Sequence, residues 1–210
     1  MTNLILHIPH SSDKIPMDKG FVVDKKILAQ EIIKLTDWYT DDLFLFEDSV
    51  IVRADFSRIF CDTERFSDDS QEVMAKYGMG VLYEKSDDGV AIREVNPKLR
   101  EDILNNYYWP HHNKLNQAVN DQLISNGRAL IVDCHSFPSD PLIRDLSQDE
   151  NRPDFNIGTD SFHTPNDLIE ISKYFFKEKG YSLGIDRPYS GTMVPINHYQ
   201  KTKNVSSIML

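Results

Sequence analysis

The feature that most constrains the fold is the segment ALIVDCHS at residues 129–136, a continuous apolar run that ends in polar side chains. A short run without polar alternation is typical of a strand buried on both faces, as in the interior of a parallel sheet. The segment therefore predicts a covered sheet with reactive groups at the point where one of its strands ends.

Other short apolar segments predict further strands. The first is ended by Pro9, and the weakest is a run of only three apolar residues, Ile59 to Cys61. The predicted strands and strand-like segments cover residues 3–8, 49–56, 59–61, 129–136, 182–185 and 204–210.

Apolar residues spaced three and four apart predict helices between these strands. Thr36 or Asp37 is the candidate N-cap of one short helix, and Gly127 and Gly180 are stop signals after two longer ones. The predicted helices cover residues 24–35, 98–125 and 166–179, with the short one running to Leu45, and residues 67–97 and 138–160 are predicted to be irregular. Strands thus alternate with helices, which predicts an α/β domain with a mostly parallel or mixed sheet.

Length and composition predict one globular domain over residues 1–210, with 40% hydrophobic and 27% charged residues. No stretch approaches the roughly 18 consecutive apolar residues of a membrane helix, and the N-terminus lacks the pattern of a signal peptide. Two cysteines, Cys61 and Cys134, suggest no disulfide framework. We therefore expect a cytoplasmic protein, and the oligomeric state is left open.

The formal net charge of −10 argues against nucleic acid and anionic membranes as partners, because an acidic surface repels both. A small anionic substrate would need a local arginine to overcome the same field. Arg65 and Arg58 are the candidates, since a guanidinium group offers a planar fork of donors that suits a carboxylate. The alternative for each is a salt bridge with the neighbouring acids Asp62, Glu64, Asp68 or Asp69.

Polar groups follow three of the apolar runs, at residues 7–10, 62–65 and 133–136. In open α/β sheets ligands bind beyond the carboxyl ends of the strands, so these groups are the candidates for a site. His10 and His135 come from different strand ends and can converge on one metal ion. Two histidines with one carboxylate are a common ligand set of hydrolytic zinc, which polarises a carbonyl and activates water.

Three further residues near these strand ends were considered. Asp133 lies two positions before His135 on the same strand face, so it either orients the histidine ring or caps a neighbouring helix. Cys134 points the opposite way, which favours a core position over a nucleophile. His112 opens the long helix beside His111, and one of this pair is expected to face the site while the other is exposed to solvent.

Eight segments follow one another along the chain: HIPHSSDKIP (7–16), TDWYTDDLF (36–44), SRIFCDTERF (57–66), YGMGVLY (77–83), YYWPHHNKL (107–115), VDCHSFP (132–138), PDFNIGT (153–159) and RPYSGTMVP (187–195). In this order they resemble the N-formylglutamate amidohydrolase (deformylase) family, which is related in fold to zinc carboxypeptidases and aspartoacylases. The resemblance extends over nearly the whole chain, and its most specific parts are PDFNIGT and DCHS. It implies a three-layer α/β fold of the zinc-carboxypeptidase, phosphorylase/hydrolase-like kind, with helices on both faces of the sheet.

The resemblance also implies a ligand set. His10 and His135 match metal-binding positions, with zinc as the expected metal. In carboxypeptidases a glutamate close behind the first histidine is the third ligand, and the nearby acid here is Asp13. We assign Asp37 of TDWY as the third ligand instead, and Glu64 is the alternative.

The same resemblance implies residues that bind the substrate. Arg65 matches an arginine for the substrate carboxylate, whereas Glu64 departs from the asparagine that precedes this arginine in related enzymes. The loop residues implied to line the site are Asn156, Gly158, Tyr189 and Gly191.

The catalytic base is not assigned within the chain. The last predicted strand ends at Leu210, and in the resembling family this strand runs on into a glutamate, so we expect a truncated domain whose general base lies beyond Leu210. Among the residues present, His112 is the one candidate for a catalytic role.

The function implied is metal-dependent hydrolysis of an N-formyl amino acid such as N-formyl-L-glutamate, in amino-acid degradation such as histidine catabolism. The Glu64 departure motivates an alternative, a deacylase for a different N-acyl amino acid. A non-catalytic protein that binds a metal or ligand on the same fold is the third hypothesis.

Overall fold

Parallel strands form the centre of the computed structural model, which describes residues 4–210. The strands are β1 (Leu4–Ile8), β2 (Val50–Arg53), β3 (Ala129–Asp133), β4 (Phe155–Ile157), β5 (Leu183–Ile185) and β6 (Val205–Met209). Four of them form a parallel sheet in the order β2-β1-β3-β6, and β4 and β5 form a separate parallel pair. An antiparallel bridge between Gly158 and Met209 links the pair to the sheet.

Helices connect the strands in the predicted alternation. They are α1 (Lys25–Leu35), α2 (Thr40–Leu43), α3 (Pro97–Ile103), α4 (Trp109–Asn126) and α5 (Asn166–Glu178), with a 3₁₀ helix at Val73–Tyr77 and a π-helical turn at Leu104–Tyr108. The Asp24 carboxylate caps α1 by accepting from the main chain of Lys26 and Ile27, which satisfies two amides that have no partner within the helix. None of the helices in the described part of the chain has the length and apolar character needed to span a membrane.

The two faces of the sheet carry separate cores because side chains alternate along a strand. One face of α4 packs against Ile5 and Ile131, which are both fully buried. On the opposite face Leu6 and Ile8 pack with Phe44 at the end of α2. Each fully buried side chain of this size contributes about 1.5–3 kcal/mol. The predicted three-layer α/β class is confirmed.

Three local predictions were wrong. The short helix predicted to follow Thr36 and Asp37 is only the single turn α2, which begins after Tyr39 with a left-handed φ of 66°. The segment 59–61 is buried but forms a turn rather than a strand, because Cys61 N–H bonds back to the Ser57 carbonyl. The predicted loop 138–160 contains β4.

The long predicted helix is continuous from α3 through α4, but it contains the π-helical turn at Leu104–Tyr108. Such a turn widens the helix by one residue, so the side chains that follow it are rotated from their regular positions. Gly127 ends α4 with a φ of 69°, as its position after the apolar pattern predicted.

Candidate active site

The carboxyl ends of β1 and β3 lie side by side, with His7 in register with Asp133. The chain therefore leaves both strands at the same edge of the sheet, and His10 and His135 follow there within a few residues. A cavity of about 910 Å³ opens at this edge, and both histidines line it. This is the edge at which the ends of the apolar runs predicted a site.

His10, Asp37 and His135 form a cluster whose potential ligand atoms all lie within 4.8 Å of one another. His135 Nδ1 lies 2.9 Å from Asp37 Oδ2, and His10 Nδ1 lies 3.9 Å from the same oxygen. Asp37 comes from the loop after α1, which brings its carboxylate between the two strand ends. The three residues are those predicted as metal ligands, and we call them the ligand cluster.

The two ring nitrogens of His10 have different surroundings. Nε2 lies 2.9 Å from Asp62 Oδ1, so it carries the hydrogen that this carboxylate accepts. Nδ1 is buried and has no hydrogen-bond partner within residues 4–210. Its lone pair therefore faces the ligand cluster while a carboxylate orients the ring from behind, which is the arrangement of a metal-binding histidine. The residues present thus fit a divalent metal.

Glu64, the alternative third metal ligand, lies next to the ligand cluster. Its Oε2 lies 3.2 Å from His135 Nε2 and 3.6 Å from His10 Nδ1. Its side chain is 16% exposed and lines the cavity. Glu64 is therefore within reach either of a cation held by the cluster or of a molecule bound in the cavity.

Electrostatic interactions within and around the ligand cluster shift the pKa values of its members. Burial alone would raise the pKa of Asp37, but the hydrogen bond with His135 and the charges of His10 and Arg58 outweigh it and hold that pKa below its usual value. Burial likewise disfavours a charged His135, but the carboxylates of Glu64 and Asp133 raise the pKa of this imidazole well above its usual range. Surplus negative charge thus surrounds the histidines, an environment that attracts a cation.

Asp133, at the end of β3, lies beside His135. Asp133 Oδ1 accepts a hydrogen bond from His7 Nδ1 at 2.7 Å and lies 3.5 Å from His135 Nε2, while Oδ2 accepts from the Met193 main-chain N–H. Neither oxygen caps a helix within residues 4–210. His7 Nε2 lies 2.9 Å from His111 Nε2, so a buried chain of polar groups supports Asp133 from the side of α4.

Asp62 is the buried acid that holds this region together. It accepts from His10, from Tyr83 Oη at 2.9 Å and from two nitrogens of Arg58 at 3.0 and 3.2 Å. Burial opposes its charge, but Arg58 and His10 hold the pKa of Asp62 well below its usual value. The sequence pattern placed His7 and Asp62 among the candidate polar groups at strand ends, but it gave His7 no specific role, gave Asp62 only a salt bridge and did not indicate Tyr83.

The two candidate arginines differ in how many hydrogen bonds their guanidinium groups already make within the protein. Both line the cavity, but the donors of Arg58 are already used, because it binds Asp62 and lies 3.5 Å from Asp37. The nearest charged group to Arg65 in the described chain is Asp62, 3.7 Å from Nε. No hydrogen bond among residues 4–210 uses the Arg65 guanidinium, and its buried Nε has no partner there.

Three of the four predicted loop residues, Asn156, Tyr189 and Gly191, line the cavity. Gly158 does not line it as predicted, because it packs against Gly191 and Met209 instead. The Asn156 amide donates to the Tyr189 carbonyl at 3.0 Å, which ties two of these loops together. A Cβ atom on Gly158 would lie 2.1 Å from the Gly191 carbonyl oxygen, so only glycine permits this contact.

Two further candidates have clear positions. Cys134 is buried, which raises the pKa of its thiol, and it packs with Leu6 and Ile8 in the core as its place in the strand predicted. His112 lines the cavity from the first turn of α4, with its ring packed on Tyr108 at a centroid separation of 4.2 Å.

Comparison with known proteins adds two kinds of similarity. Residues 2–210 match the model of a family described as N-formylglutamate amidohydrolase. The fold is similar to the crystal structure of N-formylglutamate amidohydrolase from Ralstonia eutropha JMP134, with a TM-score of 0.84 and 22% identity, covering 99% of this chain and 80% of that chain. A gene product from Agrobacterium tumefaciens is also similar, with a TM-score of 0.68, 15% identity and coverages of 99% and 79%. A search of curated protein sequences found no significant match.

Proposed function

The chain belongs to the N-formylglutamate amidohydrolase family, and on that basis we propose that it hydrolyses the amide bond of an N-formyl amino acid, with N-formyl-L-glutamate as the first substrate to test. Water adds across the bond, so the products are formate and the free amino acid. The observation that most supports the proposal is the partnerless Nδ1 of His10 in a cluster with Asp37 and His135, at the edge of a large cavity.

The ligand cluster would hold the metal that this chemistry needs. Two histidines and one carboxylate with a free position are the donor set of catalytic zinc, which makes zinc our proposal for the ion. A cation bound there would polarise a carbonyl oxygen and make water more acidic. Asp62 and Arg58 keep the His10 ring oriented from behind, and the Ser136 N–H, 3.3 Å from Asp37 Oδ2, helps to hold that carboxylate in place.

Arg65 would bind the carboxylate of the substrate. Its guanidinium has no hydrogen bond within residues 4–210, lines the cavity and is joined in sequence to Glu64 at the ligand cluster. A carboxylate on this fork would receive two charge-assisted hydrogen bonds in a partly buried place. Binding at Arg65 would therefore overcome the repulsion expected from a chain with a net charge of −10.

Glu64 would receive the proton from water, because its carboxylate borders the ligand cluster and lines the cavity. The cluster already offers three ligands, so Glu64 is left free to act on what enters the cavity. Its Oε2 is held near His135 Nε2, and its partial exposure keeps it accessible. Proton transfer by a positioned carboxylate accelerates such reactions by about 10²–10⁴-fold.

A second candidate function is deacylation of a different N-acyl amino acid. Two observations favour it: the carboxylate of Glu64 stands beside Arg65, and the cavity of about 910 Å³ is at the upper end for small-molecule sites. Such a cavity has room for a larger acyl or amino-acid side chain than N-formylglutamate carries.

The test measures formate and free glutamate released from N-formyl-L-glutamate, alongside the N-acetyl, N-propionyl and N-succinyl derivatives. We expect the formyl compound to have the highest kcat/KM. A higher value for a larger acyl group would support the second function instead. Metal binding without turnover of any compound in the panel would contradict both and favour a non-catalytic protein.

A further inference from the structure

His112 is the cavity residue whose chemistry the proposed function leaves unused. It lies one turn after the π-helical segment at Leu104–Tyr108, and its ring is packed between Tyr108 and Trp109. The neighbouring His111 has a different environment, because it is buried away from the cavity against His7. The pair predicted to open this helix is thus divided between the core and the site.

The two ring nitrogens of His112 are not equivalent. One ring N–H bonds to the main chain of Thr63, whereas Nε2 is buried and has no hydrogen-bond partner within residues 4–210. Burial lowers the pKa of His112 to about 4, so the ring is neutral at physiological pH. A neutral imidazole with its single hydrogen committed to one nitrogen is a hydrogen-bond acceptor at the other. Nε2 is therefore an acceptor that needs a donor from outside the described chain.

The contacts of His112 place its ring in the cavity beside the segment that carries Glu64 and Arg65. His112 is fixed to Thr63, and its stacking partner Tyr108 donates to the Arg65 carbonyl at 2.9 Å. Between these two contacts lies Glu64, which borders the ligand cluster. A substrate with its acyl carbonyl at the cluster and its carboxylate on Arg65 has its amide N–H between those two points, because that nitrogen joins the acyl carbon to the carbon bearing the carboxylate.

We propose that Nε2 of His112 accepts a hydrogen bond from the N–H of the scissile amide, and thereby selects amides over the corresponding esters. The inference rests on the proposed function and adds a specificity residue to it. An ester carries an oxygen with lone pairs where the amide carries N–H, so it would bring one acceptor against another. A buried acceptor without a donor is costly, which is how a site of this kind discriminates between the two.

The test compares N-formyl-L-glutamate with its ester isostere, the O-formyl ester of 2-hydroxyglutarate of the same configuration. Both substrates release formate, and for each substrate the kcat/KM of the variant is divided by that of the wild type, so the greater intrinsic reactivity of the ester cancels. The variants are His112→Ala, which removes the acceptor, and His112→Gln, whose amide oxygen can restore it. Asn113→Ala, at an exposed position of the same helix, is the matched control.

We expect His112→Ala to lower kcat/KM for the amide by about 5- to 150-fold and to leave ester hydrolysis unchanged or faster. His112→Gln should recover part of the preference for the amide, and Asn113→Ala should change neither substrate. Equal losses on both substrates would show that His112 only supports the Thr63–Arg65 segment and would overturn the inference, as would unchanged amide hydrolysis in His112→Ala. If the wild type hydrolyses neither substrate, the proposed function is refuted instead, because the scissile amide is taken from that function.

Discussion

Replacing Arg65 tests whether this residue binds the substrate or supports the fold. The perturbation is Arg65→Lys, which keeps the positive charge and most of the aliphatic side chain but removes the planar fork. The Arg65 guanidinium makes no hydrogen bond within residues 4–210, so its replacement breaks no described contact of that kind in the folded protein. Lysine also keeps a positive charge near Asp62, which lies 3.7 Å from Arg65 Nε, so the free energy of unfolding should change by less than about 1 kcal/mol.

The expected effect on catalysis follows from the bidentate contact. Hydrogen bonds to charged groups contribute about 1.5–3 kcal/mol, which corresponds to a loss of about 10- to 150-fold in kcat/KM. The assay is formate release from N-formyl-L-glutamate, with urea unfolding of the same samples. Wild-type kinetics in Arg65→Lys would refute the role of Arg65 as the carboxylate site.

Arg58→Gln is the matched control because Arg58 is the arginine that the protein already uses. Its loss leaves the buried Asp62 without its main cation, and breaking a buried pair in this way costs about 3–5 kcal/mol. We expect this variant to lose stability as well as activity. If Arg58→Gln were as stable as the wild type while Arg65→Lys unfolded, the roles assigned to the two arginines would be reversed.

Three further predictions test separate parts of the account. Glu64→Gln should keep the metal but slow turnover by about 10²–10⁴-fold, and loss of metal in this variant would make Glu64 a ligand instead. Burial raises the pKa of Glu31 above its usual 4.5. The stability of the wild type relative to Glu31→Gln should therefore be greatest below pH 4.5 and should decline as the pH rises through the raised pKa. A constant difference in unfolding free energy between pH 4 and 8 would contradict this. Gly158→Ala should lose about 1–3 kcal/mol of unfolding free energy, because its Cβ would meet the Gly191 carbonyl at 2.1 Å, and an unchanged denaturation midpoint would show that the loops can separate freely.

Much of the fold could be predicted because buried strands and amphipathic helices leave strong local patterns. The run at residues 129–136 and the long helix before it were recognisable from spacing alone, and they are present as β3 and as the continuous helix from α3 through α4. The patterns failed where tertiary contacts decide the structure. Residues 59–61 are as apolar as a strand, but a turn at Ser57 and burial against α3 set their shape.

The site could be predicted only in part, for the same physical reason. Polar groups at strand ends identified His10 and His135, since topology places those ends together. His7 and Asp62 act through contacts with residues that are far away in sequence, and no local spacing reports such pairing. The one local signal for the roles of these two residues was the presence of a histidine or an aspartate in an otherwise buried apolar segment.

The most direct test of the central claim measures bound metal and formate release on the same samples of wild type and His135→Ala. The account predicts about one divalent metal per wild-type chain, turnover of N-formyl-L-glutamate that is lost on chelation and restored by zinc, and loss of both metal and turnover in His135→Ala. Metal content and turnover that are unchanged in His135→Ala, or turnover that survives complete removal of metal, would contradict it.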